Sequence, residues 1–108
     1  MKDTYKKNEM NNTIFSNGIK EILQFLIDKE VKSFTQIKKI KNLKTNKVFS
    51  ANTIALRLKS LEKNNLIERK MVKNEDRWLV GYAVTEKGIK ILKVYDQINE
   101  DINKILHE

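Results

Sequence analysis

The side chains that could do chemistry in this sequence are concentrated between residues 50 and 63, in the segment SANTIALRLKSLEK. Apolar residues recur there at spacings of four and three, at Ile54, Leu58 and Leu61, which predicts a helix with one buried face. The remaining faces carry amide, hydroxyl and cationic groups and one leucine. This set is Asn52, Thr53, Leu56, Arg57, Lys59, Ser60 and Lys63, preceded by Ser50 as the predicted N-cap.

These residue types match the chemistry of base edges. The major groove of B-DNA admits an α-helix, and each base pair presents there its own pattern of donors, acceptors and methyl groups. Asn pairs with adenine, Arg with guanine, and Ser or Thr with either base. A thymine methyl would cover Leu56, although isolated exposed leucines are also ordinary on protein surfaces. The segment therefore predicts a helix that reads double-stranded DNA.

The distribution of charge supports a polyanionic partner. The chain of 108 residues has a net charge of +8, and residues 32–77 carry 13 basic and 4 acidic side chains, whereas residues 1–31 and 78–108 are close to neutral. A compositional bias toward lysine would spread the excess along the chain. A basic footprint on one part of a small domain instead points to nucleic acid. Phosphate contacts are expected from lysines before the helix: Lys38, Lys39, Lys41, Lys44 and Lys47.

The composition also excludes several classes of protein. There is no cysteine, and the single histidine, His107, is next to last, so we expect no metal, cofactor or catalytic site and do not expect an enzyme. No apolar run approaches the roughly 18 residues of a membrane span, and no secretory signal opens the chain. We expect a cytoplasmic protein. The sequence does not identify a small-molecule effector.

Further elements are predicted on both sides of this helix. Residues 1–12 are polar and aperiodic and predict a frayed tail. An apolar pattern begins at Ile14 and predicts a first helix, capped by Ser16, with Phe15, Ile19 and later apolar residues on one face. Ser33 and Gln36 have the spacing of a capping box, which predicts a second, short helix. Residues 42–49 then form a basic connector.

A β-hairpin is predicted after the DNA-reading helix. Residues 66–72 and 78–84 are β-like runs around the turn Lys73–Arg77, and they predict two antiparallel strands. Lys70, Lys73 and Arg77 are placed to meet phosphates or a minor groove, and the alternative is a solvated hairpin in a lysine-rich protein. Trp78 is expected to pack the hairpin onto the body of the domain rather than to stack on a base.

The last helix is predicted to begin after Thr85 and to form a dimer interface. Ile91, Tyr95, Ile98, Ile102 and Ile105 repeat every 3.5 residues on average, which is typical of a helix–helix seam. The first helix offers a second surface through Phe15 and Ile19. The alternative is a terminal helix that folds back onto its own first helix.

Three segments resemble the HxlR-type transcriptional regulators, which are similar to MarR and PadR proteins. They are Phe34-Thr35-Gln36-Ile37, residues 54–69 (IALRLKSLEKNNLIER) and residues 82–88 (YAVTEKG). The resemblance implies a homodimeric DNA-binding regulator over roughly residues 15–105. The chain departs from the family pattern at Asn65, where glycine is usual, and lacks the N-terminal cysteine of thiol-sensing members.

The prediction is an α+β, mostly helical winged helix-turn-helix. Residues 13–86 are expected to form the DNA-binding domain and residues 87–108 the dimerisation helix. The expected function is sequence-specific binding of double-stranded DNA by a homodimeric regulator, a repressor. The alternatives are a non-specific architectural protein of the nucleoid and a winged helix used for protein–protein contact.

Overall fold

The computed structural model describes residues 16–108, so the predicted tail (residues 1–12) and Phe15 lie outside the described residues. This part contains four helices and a three-stranded antiparallel sheet, which confirms the predicted α+β architecture with a long C-terminal helix. In chain order the elements are α1 (Ile19–Phe25), β1 (Lys32–Ser33), α2 (Phe34–Ile37), α3 (Ala51–Lys63), β2 (Ile67–Asn74), β3 (Arg77–Val84) and α4 (Glu86–Leu106).

Helix α1 begins later than its hydrophobic pattern predicts. Gly18 is its N-cap, with φ 95°, a left-handed conformation that glycine adopts without steric cost. The prediction that Ser16 caps the helix is therefore wrong. The predicted inner face is confirmed, because Ile19, Ile22 and the two leucines that follow are fully buried.

Strand β1 was not predicted. Its two residues pair antiparallel with β3, Lys32 opposite Tyr82 and Ser33 opposite Gly81, so that β3 lies in the middle of the sheet. A strand of two residues has too few positions to show the alternation that reveals strands in a sequence. A Cβ atom at position 81 would overlap Val31, so glycine permits this close approach of β1 to β3.

Helices α2 and α3 begin at the predicted caps. The Gln36 amide donates to Ser33 Oγ at 3.2 Å and the Ser33 amide to Gln36 Oε1 at 2.9 Å, which confirms the capping box. Ser50 Oγ accepts from the Thr53 amide at 3.1 Å. Helix α3 ends before Asn65, whose φ of 61° is the left-handed conformation expected there.

The hairpin formed by β2 and β3, which we call the wing, is longer than predicted. Its pairing continues from Ile67 opposite Val84 to Asn74 opposite Arg77. The connecting loop therefore has two residues, Glu75 and Asp76, rather than the five of the predicted turn. Glu75 takes the positive φ (57°) that such a tight connection requires.

The core lies between α1, α3, the base of the wing and the first half of α4. Ile54, Leu58 and Leu61 of α3 are buried there, as predicted. Ile89 and Leu92 of α4 join the same cluster. The first half of α4 therefore completes the winged domain, and the remainder of the helix extends beyond it.

Candidate nucleic-acid interface

The side of α3 that faces away from the core is an exposed stripe. Asn52, Leu56, Lys59 and Lys63 are exposed, and Leu56 keeps 51% of its accessible surface. The prediction that Leu56 lies outside the core is confirmed. Ala55 is exposed on the same stripe but was not predicted, because its small side chain carries no group that forms hydrogen bonds. Its spacing of three from Asn52 could have identified it.

The N-terminus of this stripe is organised by two hydroxyl groups. Ser50 Oγ donates to Thr53 Oγ1 at 2.8 Å, besides accepting from the Thr53 amide. The Thr53 hydroxyl proton is then directed away from Ser50. Ser50 itself is committed to the cap, so its side chain holds Thr53 in place while Thr53 keeps a donor.

Arg57 lies on the flank of α3 and contacts the segment before α1. Its Nε donates to the carbonyl oxygen of Asn17 at 2.7 Å. A Cβ atom at Gly18 would lie 3.7 Å from Arg57 Cγ, so the arginine stem runs along this turn. Arg57 and Ser60 are half-buried. Arg57 thus fixes the orientation of α3 relative to α1, a contact that the sequence did not indicate.

An ion pair joins α3 to the wing. Arg69 Nη2 of β2 lies 3.0 Å from Glu62 Oε2 of α3. The hydrogen bond with Glu62 raises the pKa of Arg69 further above its ordinary value, so the arginine stays charged. Because the two residues are seven apart and on different elements, their pairing could not be read from helical spacing.

The wing presents its predicted cations near its tip. Lys73 and Arg77 are exposed, and within residues 16–108 neither forms an ion pair, whereas Lys70 Nζ lies 3.3 Å from Glu68 Oε1. Trp78 does not pack the wing onto the body, since it is 63% exposed. That prediction is wrong because the longer strands carry Trp78 out beyond the core.

The connector before α3 is an ordered basic loop. Lys44 and Lys47 of this connector are exposed, as are Lys38, Lys39 and Lys41 just before it, and all five are predicted phosphate contacts. The loop is closed by a bridge between Lys41 and Val48, and Asn42 Oδ1 accepts from the Lys44 amide at 2.8 Å. Glu21 of α1 fastens the loop to α1, because the Leu43 amide donates a hydrogen bond to Glu21 Oε2 at 3.2 Å.

The residues of α4 predicted for a dimer interface differ in how exposed they are. Ile98, Ile102 and Ile105 leave 45%, 48% and 65% of their surfaces exposed. Ile91 and Tyr95 are half-buried, and burial raises the pKa of the Tyr95 hydroxyl.

Ile19 corrects the predicted interface. Its side chain is fully buried, because this face of α1 packs into the core of its own chain. It has no surface left to offer a second chain. Phe15 lies outside the described residues.

Across residues 16–108, no group of three His, Cys, Asp or Glu side chains could hold a metal ion. None of the four described helices is long and apolar enough to cross a membrane.

Known proteins resemble this chain in sequence and in fold. The sequence from residue 18 to residue 108 matches the model of the HxlR-like helix-turn-helix family. The reduced form of the transcriptional regulator YodB from Bacillus subtilis is similar in structure, with 30% identity and a TM-score of 0.58, over 73% of this chain and 71% of that one. No curated protein gives a significant sequence match.

More distant structures share the fold. A transcriptional regulator of the MarR family from Enterococcus faecalis has a TM-score of 0.72 at 16% identity, over 96% of this chain and 88% of that chain. A MepR mutant from S. aureus, solved bound to an oligodeoxyribonucleotide, has a TM-score of 0.66 at 18% identity, over 96% and 72%. The fold and the family match agree, and this chain belongs to the HxlR-like helix-turn-helix family of DNA-binding transcriptional regulators.

Proposed function

We propose that the protein binds a specific duplex sequence as a homodimer, with α3 in the major groove and the wing on the backbone or the minor groove. The exposed stripe of α3 carries this proposal. Asn52 and Lys59 are free to donate to base edges, while Leu56 is covered by a thymine methyl or by the groove wall. Thr53, Arg57 and Ser60 flank the stripe, and Ser50, Lys70, Lys73 and Arg77 complete the proposed interface.

The dimer is supported by the exposed isoleucines of α4. Ile98, Ile102 and Ile105 lie beyond the part of α4 that closes the domain core, and burying the exposed half of each one would contribute about 1 kcal/mol. Ile91 and Tyr95 extend the same stripe toward the domain. A two-fold dimer would set the two α3 helices about 34 Å apart and would require a nearly palindromic site. Such a dimer on a promoter would act as a repressor, because occupying the site is sufficient to exclude polymerase.

Two other functions predict different behaviour. An architectural protein would bind all duplexes alike, whereas the varied side chains on α3 favour discrimination among sequences. A winged helix used for protein contact would not need the basic segment of residues 32–77. Specific regulators typically bind their sites 10³–10⁷ times more tightly than other DNA.

Selection from random duplexes at about 150 mM salt tests the proposal. We expect one enriched, nearly palindromic motif, and a plot of log affinity against log salt concentration with a slope of roughly −5 to −9 for a dimer that engages about 6–10 phosphates. Binding without enrichment would support the architectural alternative. A slope near zero would exclude DNA as the partner.

A further inference from the structure

The wing has an exposed apolar face that the contacts of α3 leave unexplained. Cross-strand partners lie on the same side of an antiparallel pair, so the pairs Met71–Val80 and Lys73–Trp78 share one face. Met71, Val80 and Trp78 leave 58%, 41% and 63% of their surfaces exposed. We call these four residues the wing face. Contiguous exposed apolar surface of this kind marks an interaction site.

The wing face lies on the side of the hairpin that contacts α3. Side chains alternate along a strand, so Ile67 and Arg69 point to the same side of β2 as Met71 and Lys73. Ile67 is buried in the core, and Arg69 pairs with Glu62 of α3. Farther out along the wing, the apolar residues on this same side of the hairpin are exposed. A duplex held by α3 would lie next to this side of the hairpin.

The charges of the wing favour the wing face, rather than the tip of the hairpin, as the surface that contacts DNA. The tip is the loop of Glu75 and Asp76, whose carboxylates would be repelled by phosphates. Lys73 is the charged residue of the wing face, and no acidic side chain lies on that face of β2 or β3. The combination of one cation with apolar side chains fits the sugar–phosphate wall of a groove, where apolar sugars alternate with anionic phosphates.

The contact between Lys73 and Trp78 restricts how the indole can meet DNA. Lys73 Nζ lies 6.0 Å from the centroid of the Trp78 ring, within reach of a cation–π interaction. One face of the indole is therefore covered by its own neighbour and the other is open. Insertion between two base pairs requires both faces, whereas packing against a deoxyribose requires only one.

We propose that Trp78 is a DNA contact, in which the open face of the indole packs against deoxyribose in the groove flanking the one occupied by α3. Lys73 meets the adjacent phosphate. This inference rests on the proposed function, since it requires α3 to hold the duplex. It adds a sequence-tolerant apolar contact to the polar contacts of α3, and it assigns a role to the residue that was expected to anchor the wing.

The test uses the fact that Trp78 is the single tryptophan of the chain. A fluorescein-labelled duplex of about 30 base pairs, long enough for two half-sites, is taken from the selection and added to the whole protein. Anisotropy of the label reports binding, and tryptophan emission reports the indole. We expect a shift of emission to shorter wavelength and reduced quenching by acrylamide at the concentrations where anisotropy rises. Trp78→Ala should weaken binding about five- to fifty-fold, and Trp78→Phe should recover most of the loss.

Leu79→Ala is the matched control, because Leu79 is the next residue of β3 and its side chain lies on the opposite face of the wing. It should bind within about twofold of the unchanged protein, because the apolar contact with DNA is proposed for the wing face alone. A rise in anisotropy with unchanged emission overturns the inference and leaves the proposed function intact. An emission shift that depends on protein concentration without DNA overturns it in favour of self-association through the wing. Absence of any anisotropy change overturns both the proposed function and the inference.

Discussion

The hydroxyl group of Thr85 donates a hydrogen bond to the carbonyl oxygen of Asn65 at 2.7 Å. The Thr85 hydroxyl oxygen also accepts a hydrogen bond from the Gly88 amide at 3.1 Å, which caps α4. Asn65 is the left-handed residue at the end of α3. One side chain therefore joins the end of the helix proposed to read DNA to the beginning of the helix proposed to form the dimer.

Replacing Thr85 by valine should destabilise the protein. Thr85→Val keeps the shape of the side chain but loses both hydrogen bonds, and the loss of an N-cap alone costs about 0.5–2 kcal/mol. Thr85→Ser keeps the hydroxyl and is the control. Urea unfolding followed by circular dichroism measures the difference. Equal midpoints for the two variants would show that the hydroxyl contributes nothing.

Gly88→Ala should be destabilising for a steric reason. A Cβ atom at this position would overlap the carbonyl oxygen of Leu66, which accepts from the Thr85 amide at 3.1 Å. The overlap should cost about 1–3 kcal/mol in the free energy of unfolding. Lys90→Ala, at an exposed position of the same helix, should change it by less than about 0.5 kcal/mol. An unchanged thermal midpoint for Gly88→Ala would contradict the close approach of α4 to Leu66.

Truncation of Asn52 and truncation of Lys73 to alanine should change DNA binding in different ways. Asn52→Ala should cost about 1–3 kcal/mol on the selected duplex and reduce discrimination, because base contacts specify sequence. Lys73→Ala should weaken binding to all duplexes more evenly and reduce the salt slope by about one. Titrations of selected and scrambled duplexes separate the two effects. If Asn52→Ala weakens both duplexes equally, α3 does not read bases.

Ile98→Asp should dissociate the proposed dimer. A carboxylate at the centre of an apolar seam would be buried without a partner, which is strongly unfavourable. Sedimentation at micromolar concentration should show a dimer for the unchanged chain and a species of 12.7 kDa for the variant, with loss of DNA binding. Asn103→Asp adds the same charge beside the stripe and should remain dimeric. A chain that is already monomeric before substitution would refute the interface.

Acid should weaken the junction between α1 and β1. The Lys32 ammonium lies 2.9 Å from Asp28 Oδ2, and this hydrogen bond lowers the pKa of Asp28 below its ordinary value. Because the folded state lowers this pKa, the stabilisation is present above the unfolded value of about 4 and is lost as pH falls through the folded pKa. Asp28→Asn should remove this contribution to the pH dependence of urea unfolding. Curves of identical shape for the two proteins would contradict it.

The local features of the fold could be predicted because their causes lie within a few residues. Ser33 with Gln36, Ser50 with Thr53, and Thr85 with Gly88 form caps whose partners are three residues apart. The buried face of α3 follows from helical periodicity, which also placed Leu56 outside. These interactions depend on spacing along the chain, so the sequence alone determined where α2, α3 and α4 begin and which side of α3 is exposed.

Tertiary structure decided the features whose partners are distant in sequence. Arg57 bonds to Asn17, forty residues away, and strand β1 exists only because β3 passes beside Val31. Ile19 was predicted to face a second chain, but α1 packs against α4 and the side chain is buried in the core. Trp78 was predicted to face inward, but the extent of β2–β3 pairing carries it into solvent. In each case the residue type permits both environments, and the free energy of burial depends on which elements meet there.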